Sequence, residues 1–217
     1  MRIVVDAMGS DHHPRPDVEG AVIAARELGE QIVLVGDQSA ISTELTKHNT
    51  SGLGIDVVHA AEHVTMDDKP GVVGRAKPDS SMHVGLRLVA DGQADAFVTA
   101  GNTGAALSIA TLHILKRIRG VHRPALGTVL KLGGHAMILL DIGANTDTRA
   151  EWLAQYGVMG SIYAARALGV ANPRVALVSN GEEAGKGTSL VQEAAELLQE
   201  IGVNFIGNAE PKEVLGG

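Results

Sequence analysis

Short apolar runs alternate with longer helix-patterned segments along this chain, and that alternation limits its fold more than any other feature. Residues 3–6, 32–35, 55–58, 96–99, 174–178 and 203–206 read as strands. Residues 16–28, 39–47, 80–90, 102–118, 150–168 and 189–200 read as helices. The first has Pro16 near its opening turn, where a missing N–H is tolerated. Strands and helices in this rhythm predict an α/β architecture with a mostly parallel sheet and right-handed crossovers. Residues 126–130 and 136–140 read instead as two strands about a Gly133-Gly134 turn, a hairpin pattern. The stretch 60–79, with Asp67, Asp68, Lys69, Arg75 and Lys77, is the least regular and reads as a surface excursion or a short mobile helix. The 102–118 segment is apolar almost all round, which predicts burial.

Aromatic residues are only 2% of the 217 while apolar residues make up 45%, so the core must be Val, Ile, Leu and Ala. That composition suits a parallel sheet buried between helices. The length allows one large domain or two small lobes, and a single α/β domain over 1–217 is the expectation. With no cysteine, a disulfide framework, a thiolate metal site and a cysteinyl acyl intermediate are excluded. The net charge of -7 argues against nucleic acid as a partner, but not against anionic small molecules. The first residues are too short and too acidic a run for a signal peptide, and no uninterrupted apolar stretch is long enough for a membrane span. A cytoplasmic location is the default. A helix start at Glu210-Pro211-Lys212 follows the final strand, and such a start normally continues, so a C-terminally truncated chain is expected.

The tetrapeptide Gly101-Asn102-Thr103-Gly104 joins a strand to a helix. Such a joint leaves backbone N–H groups unpaired at the positive end of the helix dipole, a ready site for an anion, most often phosphate. Gly101 and Gly104 allow close approach, and Asn102 and Thr103 can hydrogen-bond a ligand. The plainer alternative is helix capping by the same residues. Three further loops share the design: residues 6–14, with Asp6, Met8, Gly9, Asp11 and His12; residues 141–147, with Asn145; and residues 179–187, with Glu182 and Lys186. Loops at the carboxyl ends of parallel strands line the ligand crevice of open α/β sheets. None matches a dinucleotide, P-loop or nucleophile-elbow fingerprint. Adjacent His12 and His13 rarely face one ion together, so no metal is expected; helix-start hydrogen bonding ahead of Pro14 is the bland role for His12. The basic run 116–123, from Lys116 to Arg123, reads as cations at a helix C-terminus, or as a dock for an acidic partner or phosphate. Arg75 and Lys77 beside Ser80 and Ser81 read as a phosphate-binding group, or as a solvated turn with Asp79 or Ser80 as an N-cap.

Taken in order, the motifs resemble one family. They are Asp6-Ala7-Met8-Gly9 with Asp11-His12 and Pro14, Ala100-Gly101-Asn102-Thr103-Gly104-Ala105, Arg123-Pro124-Ala125-Leu126, and Asp141 with Gly143-Ala144-Asn145. Gln155-Tyr156 with Met159-Gly160, Gly181-Glu182-Glu183 with Lys186-Gly187, and Phe205-Ile206-Gly207-Asn208 complete the set. The chain resembles the phosphate acyltransferases of bacterial phospholipid synthesis (phosphate:acyl-acyl carrier protein acyltransferases). Departures are Ser10, where glycine is usual, and His13, where a small residue is common. Family members also run on well beyond the last motif.

The resemblance implies a three-layer α/β/α sandwich, isocitrate dehydrogenase-like and phosphotransacetylase-like. It implies transfer of a long acyl chain from acyl carrier protein to inorganic phosphate, without a cofactor. It also implies a cytoplasmic homodimer, peripheral at the membrane, whose product feeds a glycerol-3-phosphate acyltransferase. On that reading His12, Asn102 and Lys186 are the catalytic candidates. Asp6, Met8, Gly9, Asp11, Arg75, Ser80, Ser81, Gly101, Thr103, Gly104, Asn145 and Glu182 are the substrate- and phosphate-binding candidates. A short-chain phosphate acetyl- or butyryltransferase using coenzyme A, or a noncatalytic phosphate-ligand-binding fragment, are the alternatives.

Overall fold

The computed structural model describes residues 1–115, 117–132, 134–183 and 185–216. The chain forms two compact units, Met1–Ile118 and Arg119–Gly217.

In the first unit four strands form a wholly parallel sheet in the order β3-β2-β1-β4. They are β1 (Arg2–Asp6), β2 (Gln31–Gly36), β3 (Ile55–His59) and β4 (Ala96–Val98). Side chains alternate across the pleat, so each strand serves two cores. Ile3 and Val5 of β1 and Ile32 and Leu34 of β2 pack against Val18, Ala21, Val22 and Ala25 of α1 (Arg15–Leu28) and Ile41 of α2 (Gln38–Leu45). Val4, Val33 and Val35 pack in a separate cluster with Val84, Leu88 and Val89 of α4 (Ser81–Ala90). Helices therefore cover both faces. The local endings follow from sequence: Gly29 adopts φ 67° after α1, and the Asp37 carboxylate caps α2 by accepting the Ala40 N–H at 2.9 Å.

The stretch 60–79 contains a short helix, α3 (Pro70–Ala76), with Val64 and Val73 buried. It is an anchored part of the unit. After it, α5 (Thr103–Ile109) runs into a π-helical turn, Ala110–Ile114. Two expectations for 102–118 are corrected here. The helix ends at Ile114, where Leu115 turns extended (ψ 144°) and its N–H reaches back to Ala110 O at 2.7 Å. Burial is also partial, with Leu112 55% and Ile118 69% exposed. Ala110 and Ile114 still pack against the core around Val64, Val73 and Met82, so only part of the segment is buried. Lys116 lies outside the described residues.

The second unit opens with the antiparallel hairpin β5 (Gly127–Leu132) and β6 (His135–Leu140), as the sequence pattern predicts; Gly133 lies outside the described residues. Then come α6 (Ala150–Ala167), β7 (Val175–Val178), α7 (Ser189–Ile201), β8 (Phe205–Ala209) and α8 (Pro211–Gly216), with β8 parallel to β7. Ala150, Ala154, Leu177, Ala194 and Leu198 form its core. Strand β8 lies later than the expected 203–206, because Phe205 N–H turns back onto Val203 O at 2.7 Å and pairing with Val175 begins only there.

Two helical glycines give opposite predictions. A Cβ on Gly20 in α1 would meet nothing within 4 Å, whereas one on Gly85 in α4 would lie 2.6 Å from Phe97 Cε2 and 3.1 Å from Val4 Cγ1. Gly20→Ala should stabilise the protein by about 0.5–1 kcal/mol in urea unfolding. Gly85→Ala should destabilise it by about 1–3 kcal/mol despite the same gain in helix propensity.

Candidate functional site

At the carboxyl ends of the adjacent strands β1 and β4, two loops meet backbone to backbone. Asp6, 1% exposed, organises them. Its Oδ1 accepts the Met8 N–H at 3.1 Å and its Oδ2 accepts the Thr99 hydroxyl at 2.8 Å. Thr99 Oγ1 in turn accepts the Gly101 N–H at 3.0 Å. A Cβ on Gly9 would lie 2.7 Å from Thr99 Oγ1 and 3.0 Å from Gly101 N; one on Gly101 would lie 3.1 Å from Gly9 Cα. A side chain at Gly9 would collide with Thr99, and one at Gly101 would press on the Gly9 backbone, so glycine at both positions favours this approach. Asp6, Met8, Gly9 and Gly101 are thus brought together.

Asn102 works in two directions. Its Oδ1 caps α5 by accepting the Ala105 N–H at 3.0 Å. Its Nδ2 donates to the carbonyls of Thr65 (3.3 Å), Met66 (3.3 Å) and Asp68 (3.0 Å), clasping the 65–68 turn. The Lys77 ammonium donates to Asp68 Oδ2 at 2.5 Å and to His63 O at 3.1 Å, and that hydrogen bond holds the Asp68 carboxyl below its ordinary range. Close packing completes the contact. A Cβ on Gly104 would lie 2.8 Å from Pro70 Cγ, and one on Gly74 would collide with the His113 ring. Thr103 is exposed. The backbone N–H groups of Asn102, Thr103 and Gly104 find no acceptor among the described residues.

The neighbouring candidates divide between surface and scaffold. Asp11, His12 and Arg75 are exposed. Hydrogen bonding at the start of α1 comes from half-buried His13, whose Nδ1 meets Ser10 O at 2.9 Å and whose ring lies 4.8 Å from that of His63. The Ser10 hydroxyl donates to Asp17 Oδ2 at 2.5 Å, and burial raises the Asp17 pKa. Ser80 and Ser81 are fully buried. Ser80 is the N-cap of α4, and its hydroxyl lies 2.8 Å from His83 Nδ1. His83 Nε2 lies 3.0 Å from Gly74 O, an atom that can only accept. Nε2 therefore carries the hydrogen, and Ser80 donates to Nδ1. Burial pushes the His83 pKa down. The unfolded chain binds that proton more readily, so this contribution to stability is fully present above the ordinary histidine pKa of about 6.5 and is lost as pH falls from there through the depressed folded value.

In the second unit Asp141 plays the organising part. Its carboxylate accepts the N–H groups of Leu126 (2.8 Å), Gly143 (3.3 Å), Ala144 (3.0 Å) and Asn145 (2.9 Å), and Asn145 Nδ2 at 2.9 Å. Burial alone would raise its pKa; these donors outweigh burial and hold it low. Asn145 Nδ2 also reaches Pro124 O (2.9 Å) and the Tyr156 hydroxyl (3.0 Å). Burial, then the Asp141 charge, raises the pKa of Tyr156. In the 179–187 loop, of which Ala184 lies outside the described residues, Asn208 Nδ2 donates to Glu183 O and Lys186 O. The Lys186 side chain is exposed and makes no ion pair among the described residues. Glu182 is 3.8 Å from Lys212 Nζ.

Residues 1–217 match the family described as Fatty acid synthesis protein. The chain belongs to this family. It is 51% identical over 217 residues to a phosphate acyltransferase of Herpetosiphon aurantiacus, covering 99% of this chain and 58% of that protein. It is 48% identical to a phosphate acyltransferase of Endomicrobium trichonymphae, covering all of this chain and 65% of that protein. The family resemblance carried by the ordered motifs is thereby borne out, and the chain spans about six-tenths of the length of these relatives. Two solved structures share the fold. A phosphotransacetylase from Streptococcus pyogenes superposes with a TM-score of 0.72 at 18% identity, covering 99% of this chain and 71% of that one. A phosphotransacetylase from Staphylococcus aureus gives 0.69 at 23% identity, covering 97% and 68%. The α/β/α sandwich expected for the family is the fold found. Among the described residues no helix is long and apolar enough to cross a membrane.

Several organising residues escape a reading by motif. Thr99 looks like a strand end, and His83 like a polar interruption of an apolar helix. Asp141 carries a signal: an Asp closing a strand before Gly143 and Asn145 favours side-chain bonds to the following N–H groups.

Asn102→Asp separates the two duties of that side chain. A carboxylate keeps the cap but cannot donate to the three carbonyls. Hydrogen exchange should show protection of residues 65–77 falling by about tenfold or more, while Ala105 N–H stays protected. Unchanged protection of 65–77 would mean that Asn102 does not hold this segment.

Proposed function

We propose that the protein transfers a fatty acyl group from acyl carrier protein to inorganic phosphate, forming an acyl phosphate for phospholipid synthesis. The observation that carries this reading is the match along the whole chain to relatives named phosphate acyltransferase. A phosphate oxygen attacks the thioester carbonyl carbon and a tetrahedral oxyanion forms. Its collapse breaks the C–S bond, releasing acyl phosphate and a thiolate that takes up a proton. Phosphate is itself the nucleophile, so the protein has only to hold two reactants and stabilise developing charge.

The joined loops after β1 and β4 suit the phosphate. The N–H groups of Asn102, Thr103 and Gly104 find no acceptor among the described residues, and Gly9 and Gly101 let the two loops close on each other. Asn102 acts by keeping those donors aimed. Exposed His12, on the neighbouring loop, is free to protonate the leaving thiolate. Asp11 and Arg75 are accessible to a ligand, whereas buried Ser80 and Ser81 serve by shaping the segment. In the second unit Lys186, which makes no ion pair among the described residues, offers a cation for an anionic group, and Glu182 and Asn145 flank or shape their own loops. The homodimer, the cytoplasmic and peripheral membrane location and the downstream glycerol-3-phosphate acyltransferase are part of the same proposal.

The phosphotransacetylase fold favours one alternative, a short-chain transferase using coenzyme A. A substrate panel decides. Phosphate-dependent loss of thioester should be at least about tenfold faster in kcat/KM for long-chain acyl carrier protein than for acetyl- or butyryl-coenzyme A. The reverse order would establish the alternative.

A further inference from the structure

One arrangement in the second unit has no part in the chemistry above. The guanidinium carbons of Arg123 and Arg149 lie 5.2 and 5.4 Å from the centroid of the Trp152 ring. One indole therefore holds two long cationic side chains that repel each other. Both arginines are exposed, and neither makes an ion pair or a side-chain hydrogen bond among the described residues.

The backbone beneath Arg123 is pinned. Gln155 accepts the His122 N–H and donates to Gly120 O, each at 2.9 Å. Asn145 holds Pro124 O at 2.9 Å, and Asp141 holds the Leu126 N–H at 2.8 Å. Arg149 is the residue preceding α6 and is fixed by that helix. A chain of net charge -7 thus presents two preorganised cations with no ion-pair partner among the described residues.

The shape of this pair selects its ligand. A small anion calls for a concave cradle. Here the arginines stand open on a ring, and the cavity of about 350 Å³ that Arg149 borders is also lined by Glu151 and Glu193, whose charge opposes an anion. Arginine and tryptophan are the residues enriched at protein interfaces, and a positive patch attracts and steers an acidic surface. We infer that Arg123, Arg149 and Trp152 form the docking surface for a carboxylate-bearing face of the carrier protein that delivers the thioester. This inference rests on the carrier protein being the acyl donor.

The test is binding of acyl carrier protein to the whole protein, followed across ionic strength. Arg123→Glu with Arg149→Glu should weaken binding about 30-fold at low salt, mostly through the association rate, and flatten its salt dependence. Trp152→Ala keeps both charges but removes their platform, and should cost about threefold. An unaltered melting temperature confirms that each variant is folded. Unchanged affinity and salt slope in the folded double variant would overturn the inference. So would a raised KM for inorganic phosphate with carrier binding unchanged, which would make the pair a small-anion site. A wild-type protein that turns over coenzyme A thioesters but not the carrier thioester would instead refute the proposed donor.

Discussion

The contact between Gly9 and Gly101, braced by Asp6, is the constraint on which the first unit depends. Two parallel strands are held by their ladder, but nothing in a ladder joins the loops beyond it. Here a buried carboxylate does so, through the Met8 amide and the Thr99 hydroxyl, and Thr99 passes the restraint to Gly101. A buried carboxylate is costly unless hydrogen-bonded, so the bracing bonds also make the burial of Asp6 tolerable. From Gly101 the restraint continues to Asn102, and from its amide to the 65–68 turn and α3. The result is a tightly joined pair of loops in which the Asn102, Thr103 and Gly104 N–H groups find no acceptor among the described residues.

The second unit uses the same device with different residues. Asp141, closing β6, gathers the N–H groups of the loop that follows it, as Asp6 gathers Met8. Its additional bond to Leu126 ties in the 119–126 loop, so one carboxylate shapes Asn145 and the base of Arg123 together. Each unit thus spends an aspartate at a strand end to rigidify a glycine-bearing loop. Rigid loops are what a reaction needs when its nucleophile is a small anion and most of the catalytic work is positioning.

Much of this was legible in the sequence, for identifiable reasons. The runs Ile3-Val4-Val5 and Ile32-Val33-Leu34, apolar at every position, announce strands buried on both faces. The chemistry of Asn102 announces a cap, and the hairpin has a clear turn. Other features were not legible because they depend on contacts between distant residues. Nothing near Asn102 shows that its nitrogen serves carbonyls 34 to 37 residues earlier. Hydropathy cannot foresee the π turn at 110–114 or the exposure of Leu112 within it. Adjacent histidines give no sign that His13 takes the half-buried hydrogen bond to Ser10 while His12 stays exposed. Arg123 and Arg149 are far apart in the chain, and only the fold brings both to Trp152.

The central claim is that the Asp6–Thr99–Gly101 brace builds the phosphate site. Thr99→Val tests it most directly, because it preserves shape while removing the hydroxyl that serves both Asp6 and the Gly101 N–H. The measurement is the saturation curve for inorganic phosphate at fixed thioester. A rise of about tenfold in the KM for phosphate, with the KM for thioester unchanged, is the predicted result. Phosphate saturation identical to that of the parent protein would contradict the claim.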